Sequence, residues 1–453
     1  MVAALKGKIT GFFINGHERT LIAKKNIALS FLVRGGGILI GLILVPMTID
    51  YVSPTQYGIW LTISSILGWL NFFDVGLGNG LKNTLTKSFA LGEMNKAREY
   101  VSTTYVALVI ISTISFVIFS IANNYINWNS TLNVNTENEE TLKLVMWVAV
   151  SCFCIQFVAQ LINTILTATH QSGNSSIITF IGQVLTLIVI FYCTKLKSGD
   201  LLTLVTIVAS MPVISLIISS WVLYKNKLKN LSPSWRLVKI KYIYNLLNTG
   251  GKFFLIQIGA LILFQTSYII ISQILGPESV TIYSVCYKLF SVMIMIFTII
   301  MTPLWSSFTD AYSKSDFNWL KNSVDKMRKL WIVFSIFTLM ILFMSDYLFK
   351  YWIGNNIKVP LSLSICMAIY VIAYMWQMLH VYLLNGIGKI RLQLIAVTAS
   401  AIVNIPISII MGRNFGLPGI VATNTILFIL MGTIFSVQCE KIIKQNAYNI
   451  WDK

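Results

Sequence analysis

Acidic residues are scarce in this sequence: 16 Asp and Glu stand against 34 Lys and Arg, and charged residues of both signs make up only 11% of the 453 positions. Soluble domains carry about 25% charged residues, so a water-facing surface over most of the chain is excluded. Histidine occurs three times, at His17, His170 and His380, which leaves no HExxH zinc motif, and no P-loop or GxSxG element is present either. Catalysis therefore has no recognisable carrier, and no cofactor is expected. Gly76, Gly78 and Gly80 are spaced like part of a dinucleotide fingerprint, but no strand precedes them and no acidic partner follows at the required distance. The six cysteines, Cys152, Cys154, Cys193, Cys286, Cys366 and Cys439, fall in apolar runs or near the C-terminus, which excludes an exported disulfide framework. Cys152 and Cys154, two apart on a helix, point to different faces and do not form a metal pair.

Hydrocarbon is what the sequence has in excess: 56% of residues are hydrophobic and the mean hydropathy is +0.74. An apolar helix of about 20 residues spans a bilayer. Runs of that kind lie near 28–48, 57–75, 101–122, 143–168, 177–194, 201–223, 250–272, 280–303, 330–349, 359–384, 393–412 and 417–438. They are too long and too continuous for barrel strands of about 10 residues with alternating polarity. The expectation is an all-α integral membrane protein with about twelve transmembrane helices. Lys6 to Lys25 is too polar to contain the apolar core of a cleavable signal peptide, so insertion is expected to use the first span.

The formal charge of +18 raises the possibility of nucleic acid, but its distribution follows a membrane rule. Of the 34 Lys and Arg, 26 fall in segments on the N-terminal side of alternate spans and 6 in segments on the other side; the last two, Arg34 and Lys288, lie inside spans. Cationic loops stay in the cytoplasm, which predicts both termini there, cations set against anionic lipid headgroups, and no nucleic-acid partner.

The chain also repeats itself. At an offset of 223 residues Pro54 meets Pro277, Ile59 meets Ile282, Trp60 meets Tyr283, Leu81 meets Leu304, Thr86 meets Thr309, Phe89 meets Tyr312, Glu93 meets Asp316 and Arg98 meets Lys321. Two lobes of six spans follow, residues 1–223 and 250–453, joined by a basic linker over 224–249. An even number of spans per lobe makes the repeats parallel, with the substrate path expected between them. Within the linker, Trp235, Leu237, Val238, Ile240 and Ile243 alternate with cations and predict a helix lying on the inner leaflet.

Polar side chains inside spans cost free energy unless they face protein or water. Gln156, Gln160, Asn163 and Thr167 form one helical stripe; Trp60, Ser64, Gly68 and Asn71, with Asp74 a turn further, form a second. Gln257, Gln265, Ser272 and Gln273 mark the seventh run, and Tyr370, Tyr374 and Gln377 the tenth. Each stripe fits a cavity wall or an interhelical hydrogen-bonded contact. Arg34 carries a guanidinium on a face with Ser30, Gly37 and Gly41, where it either faces the interior, snorkels, or pairs with Asp74. Lys288 lies about 12 Å from the outer end of its span, near the midplane, with no acid adjacent in sequence. It is a candidate anion contact, as is Lys252 at the inner edge of the seventh run.

The first span ending in Pro46, the turn Ser53-Pro54-Thr55-Gln56-Tyr57-Gly58, and the segment Asn71-Phe72-Phe73-Asp74-Val75-Gly76-Leu77-Gly78-Asn79-Gly80-Leu81 together resemble bacterial polysaccharide flippases of the Wzx type, in the multidrug/oligosaccharidyl-lipid/polysaccharide exporter superfamily. The resemblance implies a MATE-like fold with two six-helix lobes around a central cavity. It also implies residence in the bacterial cytoplasmic membrane and movement of undecaprenyl-pyrophosphate-linked oligosaccharide repeat units to the outer leaflet by alternating access, for O-antigen or capsule assembly. The implied partners are that lipid-linked substrate, membrane lipids and other polysaccharide-assembly membrane proteins, with proton or sodium coupling left open. It does not assign Arg34, Lys288 or Lys252 individually. A cation-coupled drug exporter of the same superfamily is the alternative and would need an acidic site, for which Asp74 is the one strong candidate. A membrane polysaccharide polymerase or ligase would need a large external loop, whereas the longest here is Asn123 to Leu142.

Overall fold

A computed structural model describes residues 18–70, 77–134, 137–169, 171–196, 199–244, 246, 265–354 and 357–452. Among these there is no strand, and eight helices are long and apolar enough to cross a membrane. A ninth is reached if Phe317–Phe343 and Ser345–Ile353, bent by 67°, form one broken span. The expected count of twelve is not reached on these criteria, for particular reasons. The second helix, Pro54–Leu70, has 17 residues, most of the expected span at 250–272 lies outside the described residues, and Arg391–Ile443 runs as one element of 53. A helix of that length would measure roughly 80 Å against a hydrocarbon core of about 30 Å. It is divided at Gly416, whose φ of 64° and ψ of −146° are non-helical, where the sequence predicts a break.

The helices are α1 (Glu18–Tyr51), α2 (Pro54–Leu70), α3 (Leu77–Ala90), α4 (Met94–Ala122), α5 (Trp128–Leu132), α6 (Glu139–Ala159), α7 (Leu161–Ala168), α8 (Ser172–Leu196), α9 (Leu201–Lys225), α10 (265–275), α11 (Pro277–Ser313), α12 (Phe317–Phe343), α13 (Ser345–Ile353), α14 (Leu361–Ile387) and α15 (Arg391–Ile443). They form two compact units. One takes in Met1–Tyr51, Leu70–Ile126 and Glu140–Phe254, the other Val52–Trp69, Asn127–Glu139 and Leu255–Lys453.

In the first unit, packing follows small residues, which let membrane helices approach. Gly36 and Gly37 of α1 face Phe180 and Gln183 of α8, and Gly182 of α8 lies over Pro212 of α9. Leu77, Leu81 and Leu85, one turn apart on α3, are fully buried in a cluster with Val101 of α4 and Ile165 of α7. The expected fourth span is continuous in sequence but breaks at Gln160. There Asn163 N–H donates to the Gln160 carbonyl at 2.9 Å, an i to i+3 bond that tightens one turn.

In the second unit α14 packs against α11, α12 and α15. The two arms of α15 are joined across the Gly416 break by buried amides: Asn404 donates to Asn424 Oδ1 at 2.7 Å, and Asn424 donates to Ser267 Oγ of α10 at 3.2 Å. The loop carrying α5 is docked by its backbone carbonyls. Ser272 donates to Leu132 O at 2.7 Å, Gln273 donates to the carbonyls of Ser130 and Thr131, and Asn133 donates to the carbonyls of Ser272 and Gln273. The polarity of Ser272 and Gln273 is thus spent on anchoring a loop.

The duplication is written into the backbone. Gly92 and Ser315, paired by the repeat, both take a left-handed φ, 71° and 57°. The turns around them share their hydrogen bonds: Glu93 N–H to Ser88 O and Asp316 N–H to Ala311 O are both 2.9 Å, and Met94 N–H to Gly92 O and Phe317 N–H to Ser315 O are both 3.0 Å. Thr86 reaches Ala168 O at the end of α7, and its repeat partner Thr309 reaches Gly386 O at the end of α14.

Up to Ile240 the basic linker departs from the expected interfacial helix, and beyond it only 241–244 and 246 are helical among the described residues. It forms two single 3-10 turns before that, Lys229–Leu231 and Trp235–Leu237, because Pro233 has no N–H and holds the residue before it extended. The α4 side chains satisfy its backbone instead. Arg98 Nε donates to Ser232 O at 2.8 Å, and the N–H groups of Ser234 and Lys239 donate to Ser102 Oγ and Thr103 Oγ1 at 3.0 Å. Glu99 accepts from Lys239 and from the Tyr242 hydroxyl, while Tyr242 stacks on Tyr100 at 4.2 Å. Leu246 O meets Gly80 of α3, where any side chain would collide.

A hydrogen bond to a charged group is worth about 1.5–3 kcal/mol, and half-exposed Lys239 lowers that figure. Glu99→Gln is therefore expected to speed trypsin cleavage at Lys239 and Lys241 about tenfold, the ratio for 1.4 kcal/mol, with abundance unchanged. Cleavage at the wild-type rate would mean that the linker is held without the carboxylate.

Candidate functional site

The second unit contains a polar cavity of about 290 Å³. Four helices build it: α2 contributes Leu61, Ser64 and Ser65, α10 contributes Gln265 and Tyr268, α11 contributes Tyr283 and Tyr287, and α14 contributes Tyr370. The spacing accounts for the convergence, since Tyr283 and Tyr287 lie one turn apart on α11, as do Tyr370 and Tyr374 on α14. Gly68 allows the Gln265 side chain to lie against α2, and Ser65 Oγ donates to Gln265 O at 2.6 Å.

The tyrosines are arranged face to face and edge to face. Tyr283 and Tyr287 are nearly parallel, 7° apart with centroids at 6.2 Å, and Tyr268 meets Tyr283 edge-on at 5.4 Å. Tyr287 meets Tyr370 at 6.2 Å, Tyr370 is parallel to Tyr374 at 6.3 Å, and both of the latter rest on Phe428.

Next to Tyr287 in sequence, Lys288 Nζ donates to the Tyr57 hydroxyl at 3.0 Å. It stands 5.7 Å from that ring's centroid, close to the limit of about 6 Å for cation–π attraction, so the hydroxyl is the principal contact. An ammonium has three donors and no acceptor, and no carboxylate among the described residues pairs with Lys288. α11 begins at Pro277, three residues before the expected start, which puts Lys288 about 16 Å along the helix, close to half of a bilayer core.

Three of the stripes singled out in the sequence therefore meet here through Ser64, Gln265 and Tyr370, with Tyr374 stacked behind. Gln377 is buried on α14, near Gly432 of α15. Gln160 and Asn163 lie elsewhere, in a cavity of about 200 Å³ in the first unit with Gly78, Leu108 and Phe157. Asn163 Oδ1 is buried there with no hydrogen-bond partner among the described residues. Gln156 does not line that cavity; its carbonyl accepts from Gln160 N–H at 2.8 Å. Arg34 is exposed on α1, and no described carboxylate pairs with it. Lys252, Asp74, Asn71 and Gln257 lie outside the described residues. Tyr268 and Tyr57 are the cavity and lysine partners that the polar stripes do not reveal. Tyrosine's apolar body blends into a hydrophobic run, and only the i, i+4 pairs on α11 and α14 hint at an aromatic wall.

A family model described as polysaccharide biosynthesis protein matches residues 23–309, and one described as MatE matches residues 254–410. A Yersinia pseudotuberculosis protein named as an O-antigen export protein is 22% identical over 399 residues, covering 83% of this chain and 86% of that relative. A Salmonella typhi protein named as an O-antigen transporter is 22% identical over 415 residues, covering 89% and 91%. Among solved structures, an inward-facing multidrug resistance MATE family transporter superposes with a TM-score of 0.73 at 13% identity, covering 93% of this chain and 98% of that one. An outward-facing one gives 0.61 at 14% identity, covering 94% and 96%. The fold is that of the MATE transporters.

Proposed function

Because the chain belongs to the polysaccharide biosynthesis protein family, we propose that it is a flippase that carries an undecaprenyl-pyrophosphate-linked oligosaccharide repeat unit from the inner to the outer leaflet of the bacterial cytoplasmic membrane. The observation that carries this reading is Lys288, an ammonium deep in α11 that meets a phenol and no described carboxylate. Such a group retains donors for an anionic headgroup, whereas a purely structural lysine at that depth needs a counter-ion. Relatives named for O-antigen export support the same cargo class. The work is transport, with no covalent step.

On this reading the halves over 1–223 and 250–453 alternate access to the two leaflets while the linker over 224–249 stays cytoplasmic, with both termini. Arg34 and Lys252 are further anion contacts, and Asn71, Asp74, Gln156, Gln160, Asn163, Gln257, Gln265, Tyr374 and Gln377 are polar or aromatic contacts along the path. A proton or sodium ion is the candidate coupling partner. The drug-exporter reading calls for a carboxylate where cargo and cation exchange; neither cavity described above has one among its described lining residues, and Asp74, the candidate for that role, lies outside the described residues.

Deletion of the gene tests the assignment. Surface polysaccharide should be lost while lipid-linked repeat units accumulate on the cytoplasmic leaflet, measured by glycan staining and by lipid extraction. Normal surface glycan in the deletion strain overturns it.

A further inference from the structure

We infer that the tyrosine-lined cavity is a subsite for one uncharged pyranose ring of the cargo, separate from the anion contact at Lys288. The inference rests on the flippase reading and adds a division of labour within it. Tyr268, Tyr283, Tyr287, Tyr370 and Gln265 surround the cavity, and no ionised side chain is among its described lining residues. The face of an aromatic ring carries the negative part of its quadrupole. A phosphate or carboxylate placed against several such faces would meet repulsion, and burial there without a cation would add a desolvation penalty. A neutral sugar ring has the opposite character. Its axial C–H groups form a slightly positive apolar patch that lies flat on a π face, while its equatorial hydroxyls point outward at the edge.

The geometry provides for both parts. Tyr283 and Tyr287 both line the cavity with ring planes 7° apart, and Tyr370 lines it from the facing helix, backed by the parallel ring of Tyr374. Phenol hydroxyls, the Ser64 hydroxyl and the Gln265 amide supply donors and acceptors at the rim. The volume of about 290 Å³ stands at the lower end of small-molecule sites, about 300–1,000 Å³, so it admits one ring and excludes a whole repeat unit. Lys288, adjoining Tyr287 in sequence, holds its ammonium on Tyr57, a residue that does not line the cavity. Cation and ring wall are thus neighbours with different tasks.

The test uses full-length protein in lipid nanodiscs and two probes, undecaprenyl pyrophosphate and undecaprenyl-pyrophosphoryl N-acetylglucosamine, with dissociation constants measured for each. Tyr287→Leu keeps bulk and apolarity but removes the π face. It should weaken the glycosylated probe about tenfold, the scale of a stacking contact of up to about 1.5 kcal/mol, and leave the bare lipid within about twofold. Tyr287→Phe keeps the face and should stay near wild type for both. Equal weakening of the two probes by Tyr287→Leu, or no weakening of either, overturns the subsite. Wild-type protein that binds the two probes equally also overturns the subsite alone, whereas wild-type protein that binds neither overturns the flippase reading on which it rests.

Discussion

Gly58→Val is expected to abolish transport and to lower the thermal stability of the purified protein, with Gly58→Ala producing a milder form of the same defect. Gly58 lies on α2 directly beneath the start of α11, where any β-carbon would overlap the Pro277 carbonyl and sit 3.0 Å from Thr281 Oγ1. The obstacle is backbone, so no rotamer change relieves it. Nor can α2 retreat without cost, because two contacts in the turn just before Gly58 fix it to α11: Thr281 donates to Pro54 O at 2.5 Å and Lys288 to Tyr57 Oη at 3.0 Å. Overpacking of this kind costs about 1–3 kcal/mol, and the displaced helix is the one that brings Ser64 and Ser65 to the cavity. Flux should therefore fall at least tenfold for alanine and below detection for valine. Gly41→Ala on α1, where nothing lies within 4 Å of the added carbon, is the matched control and should behave as wild type. Wild-type melting temperature and flux in Gly58→Val would show that the close approach has no mechanical role.

Gly58 also illustrates which features could be read before the structure was known. The turn around it was visible as a sequence element and its repeat partner Thr281 could be identified, yet nothing in either residue announces that their helices touch. Contact between segments more than 200 residues apart is a tertiary fact. The repeat itself was legible because it conserves backbone requirements: a left-handed residue at Gly92 and Ser315, and acidic residues at the following helix starts, Glu93 and Asp316. Polar stripes were legible as stripes but not by destination. Ser64, Gln265 and Tyr370 converge on a cavity, whereas Ser272 and Gln273, about two helical turns further along from Gln265, bind the loop over α5. Periodicity reports which face is polar and is silent about what that face meets. The linker misled for a different reason: its alternating cations and apolar residues have the composition of an interfacial helix, but hydroxyls on α4 offered its backbone better partners.

Replacement of Lys288 by alanine is expected to reduce flux by about ten- to a hundredfold while insertion, abundance and melting temperature stay close to wild type. The range follows from about 1.5–3 kcal/mol for a hydrogen bond to a charged group at 1.4 kcal/mol per factor of ten. Stability should hold because the one hydrogen bond lost within the protein is to Tyr57 Oη, and that oxygen is left beside a newly opened space in which water can serve it. Had Lys288 been half of a buried ion pair, its removal would strand a carboxylate at a cost of about 3–5 kcal/mol, and the protein would fail to accumulate. The two roles thus separate on abundance as well as on rate. Lys288→Arg should retain part of the flux, since a guanidinium presents five donors to an anion but is too broad to keep the same approach to Tyr57. Lys288→Glu should retain none, since it opposes the headgroup charge. Tyr57→Phe provides the internal control: the ring stays, the hydroxyl goes, and the ammonium loses its rest position without losing its charge. Flux in Tyr57→Phe should accordingly lie between wild type and Lys288→Ala. If Lys288→Ala transports at the wild-type rate, the lysine is a packing residue, and the anion must be met by other cations along the path.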